Sequence, residues 1–366
     1  MENLTLQDLQ FINEISIRNY KDNSFLTNAT ANEKQHLQSI KLKLKDTANF
    51  FKNKYDSDYG IFESSIVTGN DIAIGGTRLK RIWSGIFKGN TNKQYSAQIS
   101  FVLNPHKPCL DVGFFFGRAH GHSVKKEDKV RLEAELNNLT LSISNKINID
   151  ALFKEKFYSL CDLGFIAYSN NTRVKFEDWS SLIIKHTNIS QILVEVYPND
   201  IGEIEFSQLD FYVSQIVFLL SAISNNGEEQ KIKPLSIEQR TKQLQRLSEI
   251  GLKGEKYIFE LEKARLRKKE KSPIHKSLIS DHYGYDIHSF DDQGNDQLIE
   301  VKTTCRMKGE YNSQKFFLST NEYNVFQNNK DKYRLYRVYD IERNPHFEII
   351  DLDSIEICSD GYYCIY

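Results

Sequence analysis

The stretch Gly284-Tyr-Asp-Ile-His-Ser-Phe290, Asp291-Asp-Gln-Gly-Asn-Asp296, Gln297-Leu-Ile-Glu-Val-Lys302 decides the fold of the last third of the chain. Tyr285 and Ile287 before the turn, and Leu298, Ile299 and Val301 after it, suit two strands, and the Asp, Gly and Asn residues between them are hairpin-loop chemistry. Side chains alternate along a strand, so Glu300 and Lys302 share one face while Val301 points to the other. If the strands pair, Asp286 comes beside Glu300, which gathers two carboxylates and one ammonium. Such a cluster can hold a metal ion.

Working outward, Ser236 to Glu270 reads as a long helix that ends in the basic run Lys263, Arg265, Arg267, Lys268, Lys269 and Lys271. Glu255, Ile258 or Phe259, and Glu262 share one of its faces, so a carboxylate can be delivered from a helix. After the hairpin, Lys315-Phe-Phe-Leu-Ser-Thr-Asn-Glu322 predicts a third strand running into a helix, with Thr320 or Asn321 as cap and Glu322 in the first turn. Tyr333 to Tyr339 and His346 to Ile350 alternate as two further strands. The expected order is helix, three strands, helix, two strands.

Gly254-Glu255, Gly284-Tyr-Asp286-Ile-x-Ser, Ile299-Glu-Val-Lys-Thr-Thr304, Phe317-x-x-Thr-Asn-Glu322 and Tyr333-x-Leu-Tyr-x-Val338 together resemble the domain found at the C-terminus of the plant protein NO VEIN and in many bacterial defence proteins. That domain is placed in the PD-(D/E)xK nuclease superfamily. The ordered set is far more specific than a bare Glu-x-Lys. The resemblance implies an α/β fold with a mixed sheet flanked by helices. It also implies an active-site signature of Asp286, Glu300 and Lys302, with Glu255 as the helix acid and Glu262 as a second candidate for that role. Asp286 and Glu300 then bind Mg²⁺, with Mn²⁺ as a substitute, because Mg²⁺ takes one or two carboxylates plus waters and phosphate oxygens.

The expected activity is a Mg²⁺-dependent DNA endonuclease of restriction or anti-phage type. Double-stranded DNA is its partner, and cutting both strands calls for a homodimer. The rival expectations are a catalytically inactive nucleic-acid or protein-binding adaptor, an RNA nuclease, or a ligand-gated effector nuclease.

Composition bounds these readings. The chain has 366 residues, 40% hydrophobic and 27% charged, which predicts a folded protein with more than one core. A formal net charge of −1 gives no global attraction to polyanions, so nucleic-acid contacts must be local. Five scattered cysteines without a Cys-x-x-Cys pair argue against a disulfide framework or a zinc finger. The acidic start lacks the layout of a signal peptide, and Phe211 to Ile223 is too short to span a bilayer, so a cytoplasmic protein without a membrane role is expected.

The N-terminal part divides by pattern. Residues 1–54 predict a helical arm or hairpin, from Leu6, Leu9, Ile12 and Ile15 and then Leu37, Ile40, Leu44 and Phe50. Residues 55–223 predict a mixed α/β or β-rich domain that chooses the target. Its clearest strand is Tyr95 to Leu103, and its helix from Lys125 to Ile147 is expected to bury Val130, Leu132, Leu136 and Leu139. Residues 224–234 are polar with Gly and Pro, as in a linker, and 235–366 form the nuclease-like domain.

Plainer readings compete at several positions. Glu322 is expected to be a helix-start charge favoured by the macrodipole. The run Lys263 to Lys271 reads first as a solvated helix end, with Arg265 and Lys268 as candidate phosphate contacts. Arg78, Lys80, Arg81 and Trp83 combine cations with an aromatic as a nucleic-acid surface does, although Trp83 equally suits a core. His282 and His288, and separately His120 and His122, lack the ligand spacing of a zinc site.

Overall fold

The structure is a computed structural model that describes residues 2–17, 29–60, 63–66, 82–89, 92–117, 124–223 and 234–358. The chain divides into two compact units, Met1–Gln243 and Leu244–Tyr366.

In the first unit the strands are β1 (Leu4–Thr5), β2 (Glu63–Ile66), β3 (Ile82–Lys88), β4 (Ala97–Leu103), β5 (Leu110–Phe116), β6 (Ile166–Ser169), β7 (Thr172–Val174), β8 (Gln191–Val196) and β9 (Glu203–Ile204). Seven of them form one antiparallel sheet in the order β2-β3-β4-β5-β8-β6-β7, and β1 pairs separately with β9. The helices are α1 (Leu6–Ile17), α2 (Ala31–Tyr59), α3 (Lys126–Ile149), α4 (Ala151–Ser159), α5 (Phe176–Lys185) and α6 (Phe206–Ile216).

Strand alternation explains the layering. Ile99, Phe101, Val112 and Phe114 face a core shared with the helices, while Val102, Phe115 and Leu193 form a small cluster on the other face with the half-buried Trp83. The helices expected as an N-terminal arm belong to this core. Leu9, Ile12, Ile15, Leu37, Ile40, Leu44 and Phe51 are all buried in it. Val130 is 66% exposed, because α3 turns Leu132, Leu136, Ile143 and Ile147 inward instead. Beyond Ile216 the expected helix tightens into a 3₁₀ segment, Val217–Ala222. Arg78, Lys80, Arg81, the His120 and His122 pair and the linker at 224–233 lie outside the described residues.

The second unit is a mixed sheet between helices, as the sequence motifs lead one to expect. It is built from α7 (Ile237–Leu266), which starts before the unit boundary, β10 (Ile274–His275), β11 (Ile287–Phe290), β12 (Asp296–Thr303), α8 (Thr320–Asn328), β13 (Tyr333–Tyr339) and β14 (His346–Ile350). The sheet order is β10-β11-β12-β13-β14, with β12 central and parallel to β13 through the α8 crossover. Period-two alternation splits β12. Ile299 and Val301 join Ile258 of α7 in one cluster, and Leu298 joins Phe326 of α8 in another.

The third strand is not where the sequence puts it. Lys315 to Ser319 has no ladder partner, and Arg337 binds its backbone neighbourhood, donating from Nε and Nη2 to the Ser313 carbonyl at 3.1 and 2.6 Å and from Nη2 to that of Lys315 at 3.2 Å. With those carbonyls held by a buried guanidinium, the segment stays irregular. The two-residue β10 takes the edge position beside β11.

Candidate active site

The site lies where β11 begins and β12 ends. Ile287 pairs with Ile299, so Asp286, one residue earlier, comes level with Glu300 as the hairpin pattern predicts. The Asp286 N–H donates to the Ile299 carbonyl at 2.9 Å and its Oδ2 accepts from the Val301 N–H at 2.8 Å, which fixes the side chain at the strand entrance. Glu300 is 2% exposed on the central strand, and Lys302, two residues on, meets Glu300 Oε1 at 2.7 Å. Lys302 Nζ also reaches Glu322 Oε2 at 2.8 Å.

Helix α7 contributes from the other side. A Cβ on Gly254 would fall 1.8 Å from Thr303 Oγ1 and 2.8 Å from Thr303 Cβ, so the helix meets the end of β12 with no side chain between them. Glu255, the next residue, accepts from Ser277 Oγ and is 2.9 Å from His275 Nε2, and the ring of Phe259 stacks on His275. Glycine in a helix interior costs about 1 kcal/mol relative to alanine. Here the contact outweighs propensity, because β-branched Thr303 has little freedom to step aside. Gly254→Ala is therefore expected to destabilise by about 1–3 kcal/mol, with a second substitution, Thr303→Ala, recovering part of the loss in denaturant titration.

Glu262, the second candidate for the helix acid, does different work. It is 4% exposed and fully engaged: Arg265 pairs with it, Ser289 Oγ donates to it, and Tyr336 Oη donates at 3.3 Å. Arg265 also binds the Phe290 carbonyl and Asp292, and Lys269 binds Asp292 at 2.6 Å, so these cations hold the hairpin turn. Lys268 is exposed. Glu262→Ala leaves the buried Ser289 and Tyr336 hydroxyls without their acceptor and is expected to cost on the order of 3 kcal/mol, read as a lower urea midpoint.

Lys302 thus lies between Glu300 and Glu322, the Asp286 charge acts on both Glu300 and Lys302, and Glu255 acts in turn on Asp286. Burial, and then the Glu255 charge, push the Asp286 carboxyl up to about 7 against the pull of Val301 N–H and Lys302. Burial and Asp286 together raise Glu300 well above the usual carboxylate range. Burial alone would depress Lys302, but Glu300 and Glu322 overcome it and hold the ammonium above its ordinary value. Buried Tyr333 is raised too, with Glu300, Glu322 and Asp286 adding to the effect.

Asp286 Oδ1 and Glu300 Oε2 have no protein donor among the described residues, which leaves two oxygens and excess negative charge for a hard cation. These two oxygens are the ones that could hold a divalent cation such as Mg²⁺. Among the described residues, the group of three possible ligand atoms within 4.8 Å of one another is elsewhere, at Cys109, Asp111 and Glu195. There Lys107 and Tyr197 already engage Glu195, and Asn104 engages Asp111.

The hairpin motif finds Asp286, Glu300 and Lys302, and Gly254-Glu255 finds Glu255, the α7 carboxylate whose charge acts on Asp286. His275 and Ser277 escape a sequence reading because Ser272-Pro-Ile-His-Lys-Ser277 has no periodicity, and only the fold returns it to Glu255. His288 pairs with Asp296 at 3.2 Å, and it is not in the three-ligand group found among the described residues. No helix among the described residues is long and apolar enough to cross a membrane. No curated protein and no solved structure matches the chain. Residues 254–350, from the Gly254 contact to the end of β14 and including Glu255, Asp286, Glu300 and Lys302, match the protein family described as Protein NO VEIN, C-terminal.

Proposed function

We propose that the protein is a Mg²⁺-dependent DNA endonuclease of restriction or anti-phage type, in which the C-terminal unit cuts and the N-terminal unit selects the target. The observation that carries this reading is the gathering of Asp286, Glu300 and Lys302 at one end of the central strand, beside Glu255 from α7, within the segment that matches the family. Structural ion pairs also occur on strands, but two carboxylates on one lysine, with the buried Asp286 carboxyl beside them, exceed what an ion pair needs.

Asp286 and Glu300 would hold the cation, which when bound polarises a phosphate and lowers the pKa of water. The protein's own groups do the rest. Asp286 is fixed by the Val301 N–H, so its second oxygen is presented without a rotamer search. Lys302 is held as an ammonium, which suits it to offset charge developing on the phosphate and to orient the attacking water rather than to act as a base. Glu255 is restrained at the rim by His275 and Ser277. Cutting both strands of a duplex requires two such sites, and a homodimer supplies them.

The test is cleavage of DNA with Mg²⁺ or Mn²⁺, with RNA run in parallel. DNA products that depend on the cation support the reading, and products from RNA alone reassign the substrate. An inactive adaptor would give neither products nor carboxylate-dependent Mg²⁺ binding in calorimetry.

A further inference from the structure

We infer that Glu322 is a positioning residue that fixes Lys302 for the reaction, in addition to starting helix α8. The inference rests on the nuclease reading of the site. Glu322 occupies the third position of α8 in a capping box: its N–H donates to Ser319 Oγ at 3.2 Å, and its Oε2 accepts from the Ser319 N–H at 2.9 Å. The same Oε2 takes Lys302 Nζ at 2.8 Å.

A capping box is satisfied by either Glu or Gln at this position, because only an acceptor is needed. The charge serves the helix N-terminus and also Lys302, the cation in contact with it. Lysine carries its ammonium on a flexible four-carbon stem. With Glu300 Oε1 at 2.7 Å and Glu322 Oε2 at 2.8 Å, the stem is held between two acceptors. Without the Glu322 charge, Lys302 has only Glu300 to follow and is free to fold over the carboxylate that the cation needs.

The first turns of α8 reach the other half of the site as well. Asn321 Nδ2 donates to the His282 carbonyl at 3.1 Å. Gly284, at φ +67°, would place a Cβ 2.7 Å from Val325 and 3.1 Å from Asn321. The backbone that leads into Asp286 thus packs on the helix whose third residue holds Lys302.

Glu322→Gln keeps the cap and removes the charge, whereas Ser319→Ala weakens the cap and keeps the charge. In Mg²⁺-dependent cleavage by the full chain, Glu322→Gln is expected to lower kcat about 100-fold with KM and melting temperature unchanged. Ser319→Ala is expected to lower the melting temperature with kcat unchanged. Wild-type kcat in Glu322→Gln, or losses of kcat that follow melting temperature in both variants, would overturn the assignment.

Side-chain ¹⁵N relaxation of the Lys302 ammonium reads the same point without cleavage. Its order parameter should fall in Glu322→Gln and hold in Ser319→Ala; an unchanged order parameter in Glu322→Gln overturns the positioning role. If wild type cuts no nucleic acid, the nuclease reading fails while this measurement still decides what Glu322 does.

Discussion

Lys302→Met is expected to abolish phosphodiester cleavage and to destabilise the cation-free C-terminal unit by about 3–5 kcal/mol. The size follows from what the lysine leaves behind. Glu300 is 2% exposed and its contact is the Lys302 ammonium, while Glu322 and Asp286 add like charge beside it. Methionine fills a similar volume, so cavity formation contributes little and the loss is electrostatic. An uncompensated buried carboxylate is a far larger penalty than a broken surface ion pair. The loss should shrink on acidification, as Glu300 takes up a proton, and on addition of Mg²⁺. Urea titration at pH 5 and pH 8 reads all of this, and a variant as stable as wild type at pH 8 would mean that the cluster does not confine charge as described.

Asp286→Asn should act in opposite directions on activity and stability. Cleavage is expected to fall by about 10³-fold, since a lost cation ligand forfeits several kcal/mol of charge stabilisation. The cation-free protein should instead become more stable at pH 8. In the folded state Asp286 takes up its proton at about 7, against an ordinary value of 3.8. Between about pH 4 and pH 7 the folded form therefore keeps a proton that the unfolded chain releases, and stability falls as pH rises through that window. A tenfold displacement of a proton equilibrium is worth about 1.4 kcal/mol, so the effect amounts to a few kcal/mol. Asparagine retains an oxygen for the Val301 N–H and cannot ionise, so it removes this pH dependence. If denaturation midpoints in EDTA show the same slope for wild type and variant between pH 5 and pH 8, Asp286 is not the strained group.

How much of this was legible in the sequence depends on how local the signal was. The hairpin was legible because strand alternation places Glu300 and Lys302 on one face and pairing brings Asp286 level with Glu300, and both rules act over a few residues. Gly254-Glu255 was legible as a motif, but its physical reason, the contact with Thr303, needs the tertiary approach of helix to strand.

Glu322 shows the limit more sharply. Its local context, Ser319-Thr-Asn-Glu322, fully explains a helix start, and the Lys302 contact becomes visible only when the crossover returns α8 over the central strand. The missing strand at Lys315 to Ser319 failed for the same reason, because Phe316, Phe317 and Leu318 carry a strand's composition but Arg337 claims the nearby carbonyls. Arg265, read as a candidate phosphate contact, is tied to Glu262 and the hairpin turn, a partnership set by helix-to-hairpin packing. In the N-terminal unit the long helices were legible from their apolar period, but whether α1 and α2 stood apart was not, because periodicity gives a buried face without naming what buries it.

The measurement that bears most directly on the central claim is single-turnover cleavage of DNA by wild type, Asp286→Asn and Lys302→Met, each with Mg²⁺ and with EDTA. The account predicts cleavage by wild type with Mg²⁺, cleavage about 10³-fold slower by Asp286→Asn, and none by Lys302→Met or in EDTA. Equal cleavage by wild type and both variants would contradict it, because the reaction would then proceed without the cluster that Asp286, Glu300 and Lys302 form.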